Sequence, residues 1–211
     1  MTVTKAEFKA MPVTPYAQAR STPGGLRTGD VLLFNASDFG SALIEAVTGS
    51  LWCHAAFIWR VEEVDRLLAL EAVPAVGVRA LTLSAKINGV SASPKPFSGG
   101  LLVVRHDDLA ARSDPAAVRA MTEFALDRIG FPYSDTELEE IGVRIGEALV
   151  GDKDQDRVHI ASRDAYICSD YVAGCFHAMG VDLAPNPRGY IVPGDIANDP
   201  RMRAVWSLRH D

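Results

Sequence analysis

Cysteine is scarce: the chain has three in 211 residues, an odd number with no disulfide framework behind it. A chain of this length buries roughly 70% of its unfolded surface, so it needs no such staple. Long apolar runs are missing as well. No stretch reaches the ~18–20 apolar residues of a membrane-spanning helix, and no integral membrane segment is expected. Positive charge is not in excess, because 21 Lys and Arg stand against 27 Asp and Glu, a formal net charge of −6. That balance lacks the basic stripe of a nucleic-acid binder. No internal repeat and no low-complexity tract is present. Met1 to Arg20 carries Lys5, Glu7, Lys9 and Pro12 and has no apolar leader core, which predicts a cytoplasmic location unless a leader has been removed.

What is present reads as a globular domain. Hydrophobic residues make up 48% and charged residues 23%, the reverse of a disordered composition. Ser21-Thr22-Pro23-Gly24-Gly25 separates an N-terminal arm, 1–25, from a single domain spanning 26–211. Val31 to Phe34 reads as a buried strand. Ser37 or Asp38 then caps a helix with Phe39, Leu43, Ile44 and Val47 on one face, ended by Gly49. His54 to Val61 and Leu67 to Val73 form a hairpin about the acidic turn Glu62 to Asp65. Gly77 to Leu83 and Leu101 to Arg105 add strands. Helices follow: Asp114-Pro115 to Ile129, a second within Thr136 to Val150, and a third from about Ile167 to Met179, stopped by Gly180. Strands followed by helices predict an α+β domain with an antiparallel sheet.

Cys168 falls at the first turn of the third helix. Unpaired amides and the helix dipole stabilise a thiolate there, and the thiolate is the nucleophilic form. The competing reading is a buried structural thiol. His54 and Glu71 are polar residues within apolar strand runs. If the turn pairs Val61 with Val64, His54 lies directly opposite Glu71; a shift of two makes them diagonal neighbours on the same face. A carboxylate beside an imidazole orients it and supports its protonated form.

Those residues, with their flanks, resemble a known family. Gly29-Asp30-Val31-Leu32-Leu33-Phe34, Thr48-Gly49-Ser50-Leu51-Trp52-Cys53-His54-Ala55-Ala56, Leu70-Glu71-Ala72, Phe131-Pro132-Tyr133, Tyr166-Ile167-Cys168-Ser169-Asp170 and Ile191-Val192-Pro193-Gly194-Asp195 are similar to the circularly permuted NlpC-type papain-like cysteine peptidases. The group resembled is the YiiX-like one, with the lecithin:retinol acyltransferase-like proteins as cousins. The resemblance implies a papain-like domain, an antiparallel sheet or half-barrel packed against helices. It implies a Cys168 nucleophile, a His54 base and a Glu71 orienting acid, with no cofactor. The implied substrates are small cell-wall peptides, other amides or lipid-linked acyl groups. Cys53 and Asp170 depart from the family's usual Ser and Glu, and Ser134 to Asp164 is long.

Other readings stay beside this one. An acyltransferase would use the same acyl-enzyme, and a binding module would keep the cleft without turnover. A zinc site of Cys53, His54, Cys168 and Cys175 lacks the usual ligand spacing, so no metal is expected. Asp152 to Asp156 resembles the start of an EF-hand, but Arg157 and Arg163 stand where Gly and Glu are needed. That stretch reads as a solvated loop or a lid. Tyr133 and Tyr166 are candidates for lining the cleft and touching substrate. His106, His159, His177 and His210 have surface or capping roles by default. The oligomeric state is not encoded in any of these patterns.

Overall fold

Buried strand residues of this chain come in near-continuous apolar runs rather than strict alternation, which requires cover on both faces of a sheet. The computed structural model, described here for residues 5–35, 50–90, 95–111, 114–149, 164–187 and 189–211, supplies that cover. The sheet comprises β1 (Val13–Pro15), β2 (Val31–Asn35), β3 (His54–Val61), β4 (Arg66–Val73), β5 (Gly77–Thr82), β6 (Gly100–His106) and β7 (Met202–Arg209). Its order is β1-β7-β6-β2-β3-β4-β5, open and antiparallel except for β1 beside β7. The architecture is α+β, as expected from the sequence. The helix anticipated from Phe39 to Val47 and the loop of residues 151–163 lie outside the described residues.

One face of the sheet carries Val31, Leu33, Ala55, Phe57, Leu70 and Val104. Helices α5 (Pro115–Asp127) and α7 (Cys168–Ala178) cover it through Met121, Ala125, Tyr171, Val172, Cys175 and Phe176. The opposite face carries Leu32, Phe34, Ala56, Ile58, Ala69 and Val103, under Tyr16 and Ala19 of α2 (Tyr16–Ser21) and Leu83 and Ile87 of α3 (Leu83–Asn88). Each fully buried Leu, Ile or Phe contributes about 1.5–3 kcal/mol relative to exposure. Short helices α1 (Lys5–Ala10), α4 (Asp107–Ala111) and α8 (Pro193–Asn198), with α6 (Asp135–Leu149), complete the elements.

The helix ends follow local chemistry. Asp114 accepts the Ala116 amide at 3.0 Å with Pro115 in the first turn of α5. At the end of α7, Gly180 (φ 77°) gives its amide to His177 and Val181 reaches back to Phe176. That pairing is a Schellman motif, and its left-handed residue favours glycine.

The hairpin register differs from the directly opposed arrangement. Val61 pairs with Arg66 and Phe57 with Leu70, a shift of two residues. The connection is a 3₁₀ turn over Glu62–Val64 closed by Asp65 in the left-handed region at φ 46°. It consumes four residues, not two. Parity is unchanged, so His54 and Glu71 remain on one face as diagonal neighbours. Beyond β4, Gly77 (φ 85°) lets the sheet edge dock against residues 130–131. Val78 donates to Phe131 O at 2.8 Å and accepts from Gly130 at 2.9 Å. This zipper fixes the approach of Tyr133.

Candidate active site

Helix α7 starts at Cys168, after an extended Ile167 whose side chain caps nothing. The first-turn amides are therefore available to other acceptors. The Cys168 sulphur takes the amide of Ser169 and also that of Ala55 on β3. The ladder between β3 and β4 ends at Phe57 and Leu70, so the Ala55 amide serves the thiol and not a strand partner. Cys168 is only 7% exposed. Burial alone would push its pKa up, but the charge and hydrogen bonding of His54 and the two amides bring it below the ordinary thiol value.

His54 is held at the other side of its ring. Its Nε2 lies 2.7 Å from Glu71 Oε2, which leaves Nδ1 for the thiol. Phe34 packs beside the imidazole at 5.2 Å between centroids. Burial disfavours the imidazolium, but the Cys168 sulphur and the Glu71 carboxylate outweigh it and raise His54 to about 9. Each group thus favours the charged form of the other, which moves the pair toward thiolate and imidazolium.

Glu71 is wholly buried. Burial pushes its carboxyl up, and His54 and Lys86 more than reverse this, holding it well below the usual carboxylate range. Arg79 donates to Oε1 from Nε at 3.0 Å and Nη2 at 2.8 Å. Lys86 Nζ sits 2.7 Å from Oε2 and 4.8 Å above the Phe34 ring. Three cationic groups around one carboxylate lock it in place, and the carboxylate in turn orients His54.

The sequence reading missed Arg79, Lys86 and Glu137. Arg79 was legible in principle, since it pairs directly with Glu71 across the hairpin of β4 and β5. Lys86 lies on the short helix α3 and reaches Glu71 only through the fold. Glu137 is set by α6, whose Ile141 clusters with Ile167, just before α7, and with Tyr190 and Val192, just before α8. Its side chain is buried and its Oε2 has no partner. Burial, then Asp170 and Cys168, push it up to about 8. Tyr133 also faces the thiol, and burial with the Cys168 charge raises its phenol. Tyr166 takes a different place: its ring packs among Phe124, Phe131 and Tyr171, and its hydroxyl accepts from Arg128 at 3.0 Å. The structure thus brings Cys168, His54, Glu71 and Tyr133 together and puts Tyr166 in the core.

The remaining cysteines do not converge on this point. Cys53 Sγ donates to Phe34 O at 3.2 Å, and Cys175 is buried in the core, where burial raises its thiol. Among the described residues no group of three or more His, Cys, Asp or Glu side chains could hold a metal ion. No helix among them is long and apolar enough to cross a membrane.

With this geometry in hand, comparison with solved structures becomes informative. The crystal structure of the metalloprotein YiiX from Escherichia coli O157:H7 superposes with a TM-score of 0.58 at 16% identity, covering 87% of this chain and 98% of that one. The chain has a YiiX-like fold. No protein-family model and no curated protein sequence matches it.

Proposed function

We propose that this chain is a thiol hydrolase of the permuted papain-like, NlpC-type kind, acting on an amide or ester of a small peptide or a lipid-linked molecule. The observation that supports the reading is the linked set of Cys168, His54 and Glu71, in which thiol and imidazole each favour the other's charged form.

The chemistry follows from those positions. The Cys168 thiolate attacks the substrate carbonyl carbon and a carbon–sulphur bond forms. Negative charge develops on the carbonyl oxygen, and the Cys168 amide at the start of α7 is a donor for it. The His54 imidazolium passes its proton to the departing nitrogen or oxygen as that bond breaks, leaving a thioester on Cys168. Neutral His54 then takes a proton from water, the hydroxide oxygen adds to the thioester, and the acid leaves as the thiol re-forms. Glu71 holds the ring through both steps and touches no reacting atom. Tyr133 borders the thiol and is placed to contact the acyl group.

Reaction with p-nitrophenyl acetate tests the proposal. The expected result is a stoichiometric burst of nitrophenolate with one acetyl group on Cys168, located by peptide mass. Cys168→Ala abolishes the burst, and His54→Ala slows it by about 10²-fold or more. No adduct, or acetyl spread evenly over Cys53, Cys168 and Cys175, overturns it.

A further inference from the structure

A cavity lies at the far end of β3 from His54. Arg60 is six residues along that strand, roughly 20 Å away at 3.3 Å per residue. The cavity has a volume of about 700 Å³ and is bounded by α2, by the loop through Pro23 and Gly24 to Arg27, and by the turn between β3 and β4. Arg20, Arg27 and Arg60 line it, against the two carboxylates of Glu62 and Asp65.

Those carboxylates are already committed. Arg60 binds Glu62 through Nε at 3.1 Å and Asp65 through Nη2 at 2.5 Å, and its Nη1 donates to Leu26 O. Arg20 Nη2 donates to Asp65 Oδ2 and to Asp65 O, both at 2.7 Å. Asp30 is gripped by Arg105 at 2.6 and 2.8 Å and takes from Arg27 the main-chain amide. Among the described residues no carboxylate pairs with the Arg27 guanidinium. Its Nε is buried with no partner, and an unmet buried donor is costly. Burial and the neighbouring charges of Arg105 and Arg203 act against its protonated form, with Asp30 the opposing influence.

We infer that this cavity is a binding site for a small organic molecule ending in an oxyanion, a phosphate or a carboxylate, with Arg27 as its anchor. A guanidinium offers a planar fork of donors that matches either group. Among the described lining residues positive charge exceeds negative by one, and Arg27 is where an anion would be met. The volume falls within the range of sites for small organic ligands and exceeds what a bare ion fills. Pro23 and Ala17 give the body of such a molecule an apolar wall. This site stands apart from Cys168 and does not depend on the proposed hydrolysis.

The test is titration of the ¹⁵N-labelled chain, watching the Arg27 Nε–H signal. The probes are adenosine monophosphate, adenosine, benzoate and inorganic phosphate. Saturable shifts with adenosine monophosphate or benzoate, at least about tenfold tighter than with adenosine, are expected. Which of the two binds more tightly assigns the anion as phosphate or carboxylate. Arg27→Gln is expected to weaken binding about tenfold or more while leaving the iodoacetamide labelling rate of Cys168 unchanged. Arg27→Lys, which keeps the charge but loses the fork, falls between. Lack of saturation with both anions, or equal affinity in Arg27→Gln shown to be folded by its unchanged spectrum, overturns the inference. Binding of inorganic phosphate as tight as that of adenosine monophosphate refutes an organic ligand.

Discussion

Replacing Glu71 by Gln removes one negative charge from a site where His54, Arg79 and Lys86 converge. Glu71 is fully buried, His54 and Lys86 are each 18% exposed at the side chain, and Arg79 is 40% exposed. The Arg79 contact is therefore partly screened by solvent and is discounted. Breaking a buried pair by removing one partner costs about 3–5 kcal/mol, because the cations left behind lose their counter-charge. For a chain of this size each kcal/mol moves Tm by about 2–4 °C, so Glu71→Gln should lower Tm by roughly 6–20 °C at neutral pH. Because the Glu71 pKa is lower in the folded than in the unfolded chain, its stabilisation is present above the ordinary carboxylate value of 4.5 and fades as pH falls below it. The gap between wild type and variant should therefore be full at pH 6–7 and narrow in acid. Thermal unfolding across that range reads both the Tm shift and its pH dependence. A Tm within about 2 °C of wild type at neutral pH, or a gap that grows in acid, would refute the electrostatic account of the site.

Other expectations follow from neighbouring groups. His54 is raised from 6.5 to about 9 in the fold, so its stabilising contribution is complete below pH 6.5 and is lost as pH rises through 9; the stability difference between wild type and His54→Ala should shrink over that window. Brief iodoacetamide treatment at pH 7 should label Cys168 well ahead of Cys53 and Cys175, and His54→Ala should remove that preference, read by peptide mass. Glu137, pushed up to about 8, adds a negative charge beside the thiolate as it ionises. The labelling rate should show an inflection near there that Glu137→Gln abolishes. Gly77→Ala places a Cβ 2.1 Å from Phe131 O at a φ of 85°. A cost of about 2 kcal/mol or more is expected, read as a Tm fall of about 4–8 °C, together with a disturbed Tyr133.

Periodicity and punctuation carry a particular kind of information, visible in single elements. The end of α7 was legible because Gly180 is the residue a Schellman cap favours, and the start of β3 because an apolar run begins at His54. Parity placed His54 and Glu71 on one face under either register, since a two-residue shift preserves the side. It could not choose the register. That depended on Asp65 adopting a left-handed conformation, which the Glu-Glu-Val-Asp turn does not announce. Strands β1 and β7 escaped notice for a related reason: β1 has only three residues, and β7 is half-exposed with no clean alternation.

The sequence by itself determined the α+β class, the strands and helices that carry Cys168, His54 and Glu71, and the side of the sheet that the last two share. These are local matters of apolar spacing, capping and turn residues. Tertiary structure alone decided that Lys86 reaches Glu71 from a short helix, that Glu137 comes to lie beside Cys168, and that the Ala55 amide serves the sulphur. The physical reason is that local pattern sets which way a side chain faces. Which group it meets depends on where distant segments pack, and on where the β3–β4 ladder stops to leave room for a helix end.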